Sequence, residues 1–261
     1  MSKIISVHSF RGGTGKSNLT ANLAVAVARM GRRVGVIDTD IQSPGIHVIF
    51  GLTEEEIKYS LNDFLWGKCS IEQAAYDVAP KIQREAGGKG PVVPPFHLIP
   101  ASLKQREIVR IVDEGYDVSL LNSGFHDAIE RLELEYLFID THPGVNDETL
   151  LSIAVCDLLL VVIRPDNQDF QGTAVTVELA RQLKVREMMM LVNKVPSDLE
   201  TRALRGHLER TYGMPVPGVF PLNVEVVQLA SSGLFSVRFP EHPFSRQIEI
   251  VAERIAATPS G

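Results

Sequence analysis

The chain has 261 residues, 44% of them hydrophobic, and a formal net charge of −6. It is long enough to bury a full core, and its charge excludes a surface that is basic everywhere while leaving room for a local basic patch. The two cysteines, Cys69 and Cys156, stand far apart with no C-x-x-C spacing, which argues against a disulfide framework and against a zinc or iron–sulfur site. No charged-then-apolar leader is visible, and the longest apolar run, Leu158 to Ile163, is far too short to span a bilayer. A soluble protein of the reducing cytoplasm is expected.

In chain order, Lys3-Ile4-Ile5-Ser6-Val7-His8 predicts a short buried strand. It leads into Phe10-Arg11-Gly12-Gly13-Thr14-Gly15-Lys16-Ser17, after which Leu19, Leu23, Val27 and Met30 recur at helical spacing until Gly31 stops the helix. Strand, glycine turn and helix N-terminus aim free N–H groups and a positive dipole end at an anion. Glycines let the backbone turn inward around phosphate oxygens, a lysine reaches the outer phosphates, and a hydroxyl serves Mg²⁺. Gly12, Gly13, Gly15, Lys16 and Ser17 supply each part, so the stretch reads as a phosphate-binding loop.

Val34 to Ile37 is a second strand and runs into Asp38-Thr39-Asp40. Two carboxylates at a strand end beside a phosphate loop suit Mg²⁺ and an attacking water; an Asx turn is a credible account of one of them but less so of both. Gly87-Gly88-Lys89-Gly90-Pro91 through Pro95 reads as a surface loop. Leu134 to Ile139 is a further strand and ends in Asp140-Thr141-His142-Pro143-Gly144, the pattern of a metal-binding aspartate followed by a mobile turn. A histidine in such a turn is more often a hydrogen-bonded spacer than a base. The strand from Asp157 to Arg164 precedes Asp166, which either lines a dimer face or caps the helix that follows from Gln168 to Leu183.

Met188 to Val192 is a strand ending in Asn193-Lys194-Val195-Pro196. This is similar to the start of the guanine-reading Asn-Lys-x-Asp of GTPases, but Pro196 stands where the aspartate would be. Adenine is therefore favoured, with Asn193 offering a donor and an acceptor to the base edge or serving as a plain turn residue. A helix from Leu199 to Tyr212 carries Arg202, Arg205 and Arg210, diluted by Glu200 and Glu209. Non-specific DNA binding through them is possible, and a solvated mixed-charge face is the simpler reading. The last helix, about Phe244 to Ala257, puts Ile248, Val251 and Ile255 on one face and balances Arg246 and Arg254 with Glu249 and Glu253. It lacks the cationic face of a membrane-surface helix, so packing on the sheet is expected.

Taken together, these segments resemble the ParA/MinD family of deviant-Walker-A P-loop ATPases over nearly the whole length. Arg11 to Ser17 is similar to that family's Lys-Gly-Gly-x-Gly-Lys-Thr, Val36 to Asp40 to its switch I and Asp140 to Gly144 to its switch II. Leu98-Ile99-Pro100-Ala101-Ser102 resembles the Leu-Pro-Ala-Ser strand end of the MinD branch, and Gly218-Val219-Phe220-Pro221 the last strand with its base-contacting loop.

The resemblance implies an α/β fold: one doubly wound, mostly parallel sheet with helices on both faces, forming a single domain over residues 1–261. It also implies ATP and Mg²⁺ as cofactors. Arg11, Gly12, Gly13, Thr14, Gly15, Lys16, Ser17, Asn18, Asn193 and Pro221 are then expected at the nucleotide. Ser17, Asp38 and Asp140 are expected at the metal, and Lys16, Asp40 and Arg11 in catalysis. A nucleotide-dependent homodimer is implied, with an activating or cargo-adaptor protein stimulating slow hydrolysis.

Two positions depart from the pattern. His142 stands where proline is frequent. Arg11 replaces the signature lysine that reaches the partner's phosphates; it either keeps that contact through a bidentate fork, acts as an arginine finger, misfits, or is a solvated loop residue. Partner specificity is assigned by elimination to Leu52–Pro95, which contains Trp66.

Overall fold

The computed structural model describes residues 2–258. Eight strands, β1 (Lys3–His8), β2 (Val34–Asp38), β3 (Tyr76–Asp77), β4 (Phe96–Ile99), β5 (Tyr136–Asp140), β6 (Leu158–Ile163), β7 (Glu187–Val195) and β8 (Gly218–Pro221), form one sheet. Their order is β3-β4-β2-β5-β1-β6-β7-β8, and every pairing is parallel except β3 with β4. The central strands are continuous apolar runs because both of their faces are covered.

Alternate residues of β1 feed two separate cores. Ile5 and Val7 join Leu19, Leu23 and Val27 of the Lys16–Ala28 helix and Ile248, Val251 and Ile255 of the Pro243–Ala257 helix. Ile4 faces the other way, toward Leu121 and Phe125 of Val118–Arg131, Ile153 of Asp147–Ala154, Val177 of Asn167–Gln182 and Leu208 of Thr201–Tyr212. This is the doubly wound arrangement with helices on both faces. The carboxyl ends of its central strands, where the chain reverses its direction of travel across the sheet, form the ligand crevice.

The last helix behaves as its pattern demands, since Ile248, Val251 and Ile255 are fully buried. Two boundaries differ from expectation, and Asp166 takes one of the two roles open to it. The first helix ends at Ala28, so Met30 lies beyond it and is 40% exposed rather than continuing the apolar stripe. β7 runs on through Asn193 and Lys194 to Val195, with a bulge between Val192 and Val195 that puts Lys194 at φ 56°. Asp166 caps the Asn167–Gln182 helix, accepting from the N–H groups of Gln168 and Asp169. Residues 87–95 contain no helix or strand, as the glycine and proline content requires.

Candidate nucleotide site

The loop after β1 is shaped by conformations only glycine adopts readily. Gly13 has φ 77° and Gly15 φ 87°, and Gly15 is the N-cap of the Lys16–Ala28 helix. A Cβ on Gly15 would also run into Asn193 Nδ2, which donates to Thr14 O at 2.8 Å. Lys194 Nζ donates to Gly13 O at 2.7 Å, so β7 grips the loop at two carbonyls. From the opposite side Phe10 seats against Gly172, where any larger residue would strike its ring.

Two cavities meet at this loop. One, of about 300 Å³, is bounded by Ser9, residues Gly12 through Asn18, Asp40 and Pro143. The other, of about 260 Å³, shares Gly15 and Asn18 with it and continues between Asn193, Pro221, Val226, Val227 and Phe244. A polar basin at a helix N-terminus adjoining an apolar slot has the complementarity of phosphates joined to a base. The slot's outer wall is the Val224–Gln228 helix, which has no buried residue and is followed by left-handed Ala230 and Ser231.

The charged groups converge because β2 and β5 are neighbours, with Asp38 and Asp140 paired in register. Lys16 Nζ lies 2.6 Å from Asp140 Oδ1, both side chains almost fully buried, and Thr20 Oγ1 approaches the same oxygen at 3.2 Å. Asp140 Oδ2 is buried without a partner among the described residues. Asp38 accepts from the N–H groups of Asp40 and Gly45, the first bond closing the Asx turn that the spacing allowed. Burial, then Asp140 and Asp40, push the Asp38 carboxyl well above the usual carboxylate range. Asp40 alone of the three reaches the basin wall. Its Oδ1 lies 2.6 Å from His142 Nδ1 and accepts from Ser43 N at 3.2 Å.

His8 completes the floor. Thr141 Oγ1 donates its only hydrogen to Val7 O, so its 2.9 Å contact with His8 Nδ1 requires the ring to donate. Burial first, then Lys16 and His142, hold this imidazole neutral, with its pKa down at about 3.

Asp38 and Asp140 at neighbouring strand ends, one with an unpartnered buried oxygen and the other resisting ionisation, with Asp40 beside them at the basin wall, are a donor set that fits a divalent cation. Among the described residues no cluster of His, Cys, Asp and Glu is sufficient to hold a metal unaided. A Mg²⁺ ion held there would take one or two of these carboxylates together with phosphate oxygens.

The structure therefore brings together Gly12 to Asn18, Asp38, Asp40, Asp140, Asn193 and Pro221. Arg11 stands apart: it is exposed, and its side chain makes no hydrogen bond or ion pair with the described residues. Asn193 is placed at the slot, where its amide donates one hydrogen to Thr14 O and accepts from Lys194 N, leaving its second N–H and second oxygen lone pair unused. Sequence reasoning missed Thr20, His8 and Thr141. Thr20 was legible as the residue one helical turn after Lys16, whereas the His8–Thr141 contact spans two strands and leaves no local signal.

A family model described as the CobQ/CobB/MinD/ParA nucleotide binding domain matches residues 5–237. The chain belongs to this family. An ATP-binding protein of Methanocaldococcus jannaschii is 30% identical over 259 residues, covering 98% of this chain and 89% of the relative. Among solved structures, MinD in the MinC:MinD complex of Aquifex aeolicus superposes with a TM-score of 0.79 at 20% identity, covering 100% and 98% of the two chains. MinD of Pyrococcus horikoshii complexed with Mg-ADP gives 0.78 at 19% identity over 98% and 97%. These likenesses establish the P-loop NTPase fold for a member of the CobQ/CobB/MinD/ParA family. No helix among the described residues is long and apolar enough to cross a membrane.

Proposed function

We propose that this protein is an ATP-binding and hydrolysing dimerisation switch of the ParA/MinD type, working as one domain and organising a cargo in the cytoplasm. The observation that carries the proposal is the glycine loop at a helix N-terminus whose lysine rests on the strand-end carboxylate Asp140. The Mg-ADP of the Pyrococcus horikoshii MinD supports the cofactors, and the MinC:MinD complex supports an adaptor partner.

In this reading Gly12 to Asn18 cradle the phosphates, Asn193 and Pro221 flank the base, and Lys16 leaves Asp140 for the outer phosphates. Ser17, Asp38 and Asp140 would hold Mg²⁺, which neutralises developing phosphate charge. Asp40 orients the attacking water and takes its proton while the water oxygen bonds to the γ-phosphorus and the bridging P–O bond breaks, leaving ADP and phosphate. Exposed Arg11 is free to reach a partner's phosphates in the dimer.

The test is size measurement with ATP, ADP and no nucleotide, using Asp40→Ala to trap ATP. A dimer appearing only with ATP supports the switch, and one monomeric species throughout rejects it. A second reading, a nucleotide-binding regulatory module with little hydrolysis, is favoured by Arg11 in place of the signature lysine. Steady phosphate release abolished by Lys16→Ala excludes it. Non-specific DNA binding through Arg202, Arg205 and Arg210 predicts salt-sensitive retention on DNA that their joint neutralisation removes.

A further inference from the structure

We propose that His142 is the positioning residue for Asp40, fixing which carboxylate oxygen is presented to the reacting water. The inference rests on the hydrolytic reading above and adds to it a role for a residue at which this chain departs from the family pattern.

His142 Nδ1 lies 2.6 Å from Asp40 Oδ1, and Ser43 N shares its single hydrogen between Asp40 O at 3.1 Å and the same Oδ1 at 3.2 Å. The second oxygen, Oδ2, is left without a protein partner among the described residues, on a side chain that borders the phosphate basin. A carboxylate is acceptor-only when ionised, so the imidazole proton must sit on Nδ1. Free rotation of the carboxyl about χ2 would average the two oxygens. Two donors on one of them remove that freedom and aim the other into the basin.

The donor is itself held. Thr149 Oγ1 donates to His142 O at 3.3 Å, and two residues on, Gly144 N donates to Ser9 O at 3.2 Å with Gly144 at φ 89°. The turn after β5 is thereby pinned both to the Asp147–Ala154 helix and to the loop after β1. A proline at position 142 has no side-chain donor, so this orientation of Asp40 belongs to the histidine.

The test uses the full chain with Mg-ATP. His142→Ala is expected to lower kcat about 10–100-fold with KM and nucleotide affinity unchanged, the loss typical when a catalytic group loses its orientation. His142→Asn, whose amide N–H falls near the place of Nδ1, is expected to recover most of that loss. In an Asp40→Asn background the His142→Ala change should cost little more, because the group it positions is gone. Independently of turnover, the free protein should show a downfield imidazole N–H proton resonance that Asp40→Ala removes.

An unchanged kcat in His142→Ala, while Lys16→Ala abolishes turnover, would overturn the positioning role and leave the ATPase reading standing. An Asn variant as slow as the Ala variant would also overturn it, by making the imidazole itself the proton acceptor. No turnover in the wild-type protein would end both. Equal thermal midpoints for the two His142 variants exclude misfolding as the cause of a difference between them.

Discussion

Lys16 and Asp140 form a buried ion pair across 124 residues of sequence, joining the start of the first helix to the end of β5. In this form the lysine neutralises the carboxylate that the ATPase reading assigns to the metal, and nucleotide binding must exchange one cation for another. Lys16→Ala should therefore do more than abolish ATP binding. It leaves Asp140 buried without a counter-charge beside Asp38, and the nucleotide-free protein should lose about 3–5 kcal/mol. Because protonating a carboxylate relieves the defect, the loss measured by denaturant titration should be smaller at pH 5 than at pH 8.

Asp38 gives a second pH signature with a defined sign. Its folded carboxyl is raised above the ordinary value of 3.8, so the native state binds its proton more tightly than the unfolded chain. This group therefore favours folding below 3.8, and that contribution fades as pH rises through the folded value. Asp38→Asn should gain stability relative to wild type as pH rises from about 4, in thermal melts without divalent ions. Mg-ATP should reverse the order by stabilising only the wild type.

Gly15→Ala tests the loop. The substitution needs a left-handed backbone that alanine disfavours by about 1–2 kcal/mol, and its methyl collides with Asn193. Nucleotide binding measured by calorimetry should be lost while the circular dichroism of the fold is retained.

Asn193→Asp and Asn193→Ala separate the two ends of one amide. Aspartate keeps the acceptor for Lys194 N but sets a carboxylate oxygen against Thr14 O, where a donor stood. Leaving these buried acceptors unpaired costs about 1–3 kcal/mol. The aspartate variant should melt lower than the alanine variant, with the gap closing in acid.

What the sequence disclosed follows the range of the forces involved. Continuous apolar runs such as Leu158–Ile163 and the glycines at 13 and 15 are local requirements, and they appeared as strands and as the loop. The segment from Gln105 to Arg131 yielded no elements in the sequence reading, yet it forms two helices, Gln105–Glu114 and Val118–Arg131. The first sets Ile108 and Ile111 at helical spacing among charged residues, a local signal that went unread. Gly12 to Asn18, Asp40, Asn193 and Pro221 border the two cavities, Asp38 and Asp140 lie buried at the neighbouring strand ends, and Arg11 projects into solvent. The pairings of Lys16 with Asp140, Asp40 with His142 and His8 with Thr141 were not legible, because each joins residues more than 100 apart. Strand order alone brings them together, and no local pattern encodes it.

The Val224–Gln228 helix borders the base slot with Val226 and Val227, while Glu225 and Gln228 line a second, larger cavity of about 560 Å³ that runs to Phe239 and His242. None of its side chains is fully buried; Val226 packs against the core and Glu225 pairs with His242. An occupant of the slot and an occupant of the far cavity would therefore rest on the same five-residue helix.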